Sequence, residues 1–220
     1  ARAGGKIKNM VNIYIEGEGR NVPEYEFLNA VLRNIGIPSD KYQLITTAGY
    51  TNLMDSEVAM ANVRLMQSNT DEGGINLVIF DADSEENDGG YDKRKEELIK
   101  RQEELGLEFE LFLWPDNRSD GDVEVLMERI ARQDLYPEFF DCFSRYEKCI
   151  SQRRKIDGLP FYQTPNRKGK LHTYFNALPI SNTKKKKFGK GFWRWDDTQI
   201  WNLDSEALEP LKEFIKTHIR

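Results

Sequence analysis

Three acidic residues at the ends of apolar runs are the features of this 220-residue sequence best suited to chemistry. Glu16 closes the run MVNIYIE (residues 10–16), and Asp81 and Asp83 follow the run INLVIF (residues 75–80). In open α/β sheets, functional groups gather at the carboxyl ends of the strands. An extended chain sends residues i and i+2 to the same side, so Asp81 and Asp83 are expected to face one crevice. Carboxylates in close company repel one another unless a cation compensates. Hard oxygen donors on rigid strand ends suit Mg²⁺ or Mn²⁺. The plainer alternative is that each acid is only a polar residue leaving a strand, the usual case for a lone Asp in that position.

The elements that must position these acids are legible as a rhythm. Residues 10–16 form a short β-branched and aromatic strand, after which Pro23 opens a helix with Tyr25, Leu28, Val31 or Leu32, and Ile35 at helical spacing. Residues 42–47 make a second strand. Thr51 is placed to cap the next helix, in which Met54, Val58, Ala61 and Leu65 are expected to share one apolar stripe. Residues 75–80 are almost continuously apolar, as central parallel strands are. A helix carrying Leu98, Ile99 and Leu105 follows, then a fourth strand at 109–114, then an amphipathic helix on Val123, Leu126, Met127 and Ile130. This alternation predicts an α/β core over residues 10–131: a mostly parallel central sheet with helices on both faces. Residues 132–220 are expected to be a helical and irregular, basic, aromatic-rich region packed on that core. It begins with a helix over 135–150 and closes with one on Leu208, Leu211, Phe214 or Ile215, and Ile219, with no clean period over 151–203.

With the elements in place, the motifs become specific. Ile13-Tyr14-Ile15-Glu16-Gly17 resembles the first motif of Toprim domains, a hydrophobic strand ending in Glu-Gly. Leu77-Val78-Ile79-Phe80-Asp81-Ala82-Asp83 resembles the second, a hydrophobic strand ending in Asp-x-Asp, and Thr47-Ala48-Gly49-Tyr50 is similar to the glycine turn between them. Toprim domains occur in primases, topoisomerases, small ribonuclease-like proteins and the nucleases of the overcoming-lysogenisation-defect group. The arrangement is most similar to stand-alone Toprim-like bacterial proteins, which it also resembles in Asp120-Gly121-Asp122-Val123-Glu124 and in Lys168-Gly169-Lys170. The resemblance covers most of residues 10–175. It implies a Toprim-like sheet, with Glu16 as the acid–base or metal-ordering carboxylate and Asp81 and Asp83 as Mg²⁺ (or Mn²⁺) ligands. It further implies Asp120 and Glu124 as holders of a second ion, with Glu85 a further acid close by. Asp120 and Glu124 also read as an N-cap and a first-turn acid complementing a helix dipole. Lys168 and Lys170 would stand near the acids and offset charge that develops in a transition state.

The function expected on these grounds is Mg²⁺-dependent phosphoryl transfer on nucleic acid, most simply phosphodiester hydrolysis. The alternative is a non-catalytic, metal-dependent module that binds nucleic acid or a nucleotide and serves a partner protein. Charge is unevenly spread: residues 1–140 hold 15 Lys and Arg against 28 Asp and Glu, and residues 141–220 hold 17 against 9. The basic half interleaves cations with rings (Arg153, Arg154, Lys155, Phe161, Tyr162, Lys184, Trp193, Trp195), which suits phosphates and unpaired bases of DNA or RNA. Equally, Trp193, Trp195 and Trp201 read as core, and the lysines of 184–187 as a solvated tip. Phe80-Asp81-Ala82-Asp83 matches the haloacid-dehalogenase motif poorly, since Glu85 stands where that chemistry needs Thr or Val. No Walker A sequence is present. Two cysteines seven apart on one helix, Cys142 and Cys149, and two distant histidines argue against disulfide or zinc chemistry. No apolar run approaches a membrane span, and the sparse, unpaired cysteines make the cytoplasm the expected compartment.

Overall fold

The structure is a computed structural model that describes residues 10–17, 22–54, 59–188 and 193–219. Four strands form one sheet: β1 (Val11–Ile15), β2 (Tyr42–Thr46), β3 (Ile75–Asp81) and β4 (Glu110–Trp114). Their order is β2-β1-β3-β4, and every neighbouring pair is parallel. The two most continuously apolar runs take the middle, where a strand is covered on both faces. All five residues of β1 are buried, as are Asn76 to Phe80 of β3. Parallel neighbours need a crossover between them, supplied by α1 (Pro23–Asn34), α2 (Thr51–Met54) with α3 (Met60–Asp71), and α4 (Tyr91–Leu105).

Strand alternation divides the core. One face presents Val11, Ile13, Ile15, Leu77, Ile79, Phe112 and Trp114 to α1 and to α5 (Val123–Ile130). The other presents Tyr14, Val78, Phe80 and Leu113 to Val63 and Met66 of α3 and Leu98 of α4. This is the expected α/β architecture with helices on both faces. In α5, Val123, Leu126, Met127 and Ile130 are the buried residues, as their spacing requires.

The C-terminal region adds α6 (Pro137–Ser151), α7 (Arg167–Ala177), α8 (Asn182–Phe188) and α9 (Glu209–His218). It shares the first face of the sheet: Tyr174, Phe175, Trp193, Trp195, Trp201, Leu211 and Ile215 belong to the same buried cluster as Ile13, Phe27 and Trp114. The tryptophans are core, with Trp195 against Phe27 at 4.8 Å and against Trp201 at 4.4 Å between ring centroids. None of the described helices is long and apolar enough to cross a membrane.

Two readings of the sequence need correction. Of the apolar stripe expected on Met54, Val58, Ala61 and Leu65, Ala61 and Leu65 are exposed on α3, and Val63 and Met66 face the sheet instead; Val58 lies outside the described residues. The stretch 151–203, read as having no clean period, contains α7, whose Leu171, Tyr174 and Phe175 are buried at helical spacing.

Candidate functional site

Glu16 and Asp81 leave the sheet side by side. β1 and β3 are in register with Ile15 opposite Ile79, so their carboxyl ends rise together. The Asp81 backbone N–H donates to Glu16 Oε1 at 3.1 Å across 65 positions of sequence. Asp81 Oδ1 in turn accepts from the Val123 N–H, at the start of α5, at 2.8 Å. Helix N-termini hold unsatisfied N–H groups that favour an anion there. Glu16 is thus tied to β3, and Asp81 ties β3 to α5.

The electrostatics follow from this crowding. Burial pushes the Glu16 carboxyl up to about 7, with repulsion from Asp83 adding to it and the Asp81 N–H and Arg94 pulling it back. Asp81 is held well above the usual carboxylate range, first by burial and then by the charges of Glu16 and Glu124. Glu124 is raised by burial and by Asp122, and Lys168 opposes that. Asp81 therefore sits in the field of both Glu16 and Glu124, the condition under which a cation is stabilising.

Asp83 is placed differently. β3 ends at Asp81, so alternation does not extend to Asp83, which has φ +59°. Its backbone exchanges two hydrogen bonds of 2.7 Å with Gly121. Its Oδ2 accepts from Arg94 at 2.9 Å. Arg94 also donates to Glu97 at 3.2 Å and lies 4.0 Å from the centroid of the Tyr50 ring. The turn is tight: a Cβ on Gly89 would come within 2.4 Å of the Asp83 Cβ and 2.7 Å of the Ala82 carbonyl oxygen. Arg94 is not marked by the sequence pattern and Tyr50 only as part of the glycine turn, because the motif gives no sign that Asp83 turns toward α4.

The Asp120–Glu124 element divides in the same way. Asp120 Oδ1 accepts from the Tyr91 N–H at 2.7 Å, so this acid serves the first turn of α4. Asp122 is the N-cap of α5, its side chain accepting from Val125 N at 3.0 Å. Glu124 comes within reach of Asp81's field and lies 3.7 Å from Lys168 Nζ. Lys170 Nζ donates to Glu128 Oε1 at 2.6 Å, and both side chains are largely buried. Both lysines thus lie beside acids of α5, Lys168 half exposed and Lys170 locked. Asp122 was missed as a site residue, although an Asp directly before the first residue of an apolar helical period is the ordinary N-cap signal.

A cleft of about 710 Å³ opens against this cluster. Its walls are Ser84, Glu86 and Asn87 after β3, Asp122, Glu124 and Glu128 of α5, and Asn166, Arg167 and Lys168 at the start of α7. Glu124 is the link between the cleft and the more recessed Asp81 and Glu16. In kind, the acids suit a divalent ion: hard oxygen donors whose repulsion a cation would relieve. In arrangement, no three acidic, histidine or cysteine side chains among the described residues stand close enough to hold one as they are. Asp83 is turned onto Arg94 and Glu124 onto Lys168.

Fold and site together define an all-parallel α/β protein with an acidic, lysine-rimmed cleft at the carboxyl ends of its central strands. The chain belongs to the family described as Protein of unknown function (DUF3226), whose model matches residues 18–220. No curated protein and no solved structure matches it.

Proposed function

We propose that this is a Toprim-like protein whose cleft performs divalent-metal-dependent phosphoryl transfer on nucleic acid, with phosphodiester hydrolysis as the reaction. The observation that carries the reading is the coupling of Glu16, Asp81 and Glu124. These are three acids from three separate elements, each with its carboxyl raised by burial and Asp81 raised further by the other two, beside a lysine-bearing wall. Burying such a set without a counter-charge is costly, and a metal-binding role explains why it is there.

Asp81, Glu16 and Glu124 would hold the ion, with Asp83 joining if it releases Arg94. Bound there, Mg²⁺ or Mn²⁺ would polarise a phosphate oxygen and lower the pKa of a water. The chain's own groups do the rest. Lys168, half exposed on the wall, can meet a phosphate oxygen and offset charge as it builds up. Glu16, ionised once the ion is bound, can accept a proton from the attacking water. Lys170, paired to Glu128 and 5.4 Å from the Phe143 ring, fixes α7 against α5 and so positions Lys168.

One observation favours a second reading. The acids of α5 are already paired with Lys168 and Lys170, as they would be in a non-catalytic module that binds nucleic acid or a nucleotide for a partner protein. Incubation of DNA and RNA oligonucleotides with the protein and Mg²⁺ or Mn²⁺ separates the two. Hydrolysis is expected, reduced on the order of 10²-fold or more by Asp81→Asn, the scale of losing an electrostatic catalytic group. Absence of product with wild type, or equal cleavage by the variant, removes the enzymatic reading. Binding that survives chelation without product supports the module.

A further inference from the structure

The segment joining α6 to α7 is exposed at every position from 152 to 164, yet it is ordered as a hairpin. Lys155 N donates to Leu159 O at 2.8 Å, Gly158 N to Lys155 O at 3.0 Å, and Phe161 N to Arg153 O at 2.9 Å. Arg154 pairs antiparallel with Pro160. Asp157 accepts from Leu159 N at 3.0 Å, and Gly158 adopts φ +82°, the left-handed residue that closes a short hairpin loop.

A hairpin with no layer beneath it has nothing to gain from apolar side chains. This one carries four: Ile156 at the tip is fully exposed, and Leu159, Phe161 and Tyr162 are each about half exposed. They stand among three cations, Arg153, Arg154 and Lys155, against one acid, Asp157. The rings are organised. The Arg153 guanidinium lies 3.9 Å from the Phe161 centroid and donates to Tyr162 Oη at 3.3 Å, and the two rings meet edge-on at 4.9 Å. Two residues beyond Tyr162 the chain becomes the wall of the acidic cleft, from Thr164 to Lys168.

We propose that this hairpin is a platform for unpaired nucleic acid, on which bases stack against Phe161 and Tyr162 while Arg153, Arg154 and Lys155 neutralise the phosphates. It extends the reading of the cleft as a phosphodiester site by supplying the substrate class, single-stranded DNA or RNA, and the path by which the strand enters. Flat rings framed by cations are the recurrent solution for single strands. Bases stacked inside a duplex offer no free face to a ring, so the unpaired strand is the favoured form. A hairpin meant for another protein's apolar surface would need no such excess of cations in a chain whose net charge is −5.

Fluorescence anisotropy with the full chain in EDTA tests this, using a labelled single strand of about 12 nucleotides, within the usual footprint of one such platform, and a duplex of the same sequence. The single strand is expected to bind more tightly than the duplex. The double variant Phe161→Ala/Tyr162→Ala should weaken it by about tenfold or more, and Arg154→Glu/Lys155→Glu should weaken it and flatten its salt dependence. Because these side chains are exposed, far-UV circular dichroism should be unchanged. Hydrolysis of bis(p-nitrophenyl) phosphate, which is small enough to need the cleft but not the hairpin, reports on the cleft separately. A cleft failure thus shows as no hydrolysis with strand binding intact. Unaltered strand binding by either double variant, or a preference for duplex, overturns the platform. So does a wild-type oligomer that Ile156→Ser/Leu159→Ser dissociates with strand binding unchanged, which would mark the hairpin as a self-association surface.

Discussion

Glu16 and Asp81 are acids that burial makes harder to ionise, and the charge of Glu16 adds to the effect on Asp81. With its carboxyl raised from 4.5 to about 7, Glu16 binds a proton more tightly in the folded than in the unfolded chain. The stability this contributes is therefore full below the unfolded value of about 4.5 and is lost as pH rises through about 7. In metal-free buffer, Glu16→Gln is expected to be neutral near pH 5 and to stabilise the protein by roughly 1–2 kcal/mol at pH 8. Urea unfolding at the two pH values checks it, and a variant less stable at pH 8 would mean that the ionised Glu16 is already compensated. The proximity of Glu16 and Asp81 was legible in the sequence, because two apolar runs ending in acids put both at one edge. The orientation of Asp83 was not: it depends on a left-handed residue and an arginine 11 positions on, and neither belongs to a periodic pattern.

The turn from β3 into α4 is the element that sets the site's shape. Asp83 is stitched to Gly121, Gly90 N donates to the Ala82 carbonyl at 2.8 Å, and Asp120 holds the first turn of α4. Gly89 sits in the middle with no room for a side chain. Gly89→Ala should destabilise the protein by about 1–3 kcal/mol, the range for overpacking a tight site, and should displace Asp83 from Arg94. A denaturation midpoint equal to wild type would show that the turn is looser than its contacts. The strands and α5 were readable because an unbroken apolar run or a clean 3.6 period leaves few alternatives. α7 was not, since its first turn is Arg167-Lys168-Gly169-Lys170 and its period shows only from Leu171 onward. The usable signal was Asn166, whose side chain caps the helix on Gly169 N at 2.8 Å.

Across the whole molecule, acids of the N-terminal half and cations of the C-terminal half meet at one cleft. The acidic wall comes from the turn after β3 and from α5, and the basic wall from α7, which is pinned to α5 by the pairs Lys168–Glu124 and Lys170–Glu128. A single buried cluster of Trp114, Trp195, Trp201, Phe27 and Phe175 runs through both regions and holds the walls at fixed separation. The basic half is in this way built into the site, and the exposed hairpin between α6 and α7 extends it outward. If Glu16, Asp81 and Glu124 share a cation, calorimetric titration of Mn²⁺ into wild type and Asp81→Asn shows it. Wild type is expected to bind Mn²⁺ saturably, more tightly at pH 8 than at pH 6 and with release of a proton, since Glu16 must give up its proton near pH 7. Asp81→Asn is expected to show no such binding. Equal binding by the two proteins, or no binding by wild type at millimolar Mn²⁺, a generous ceiling for a carboxylate site, would contradict it.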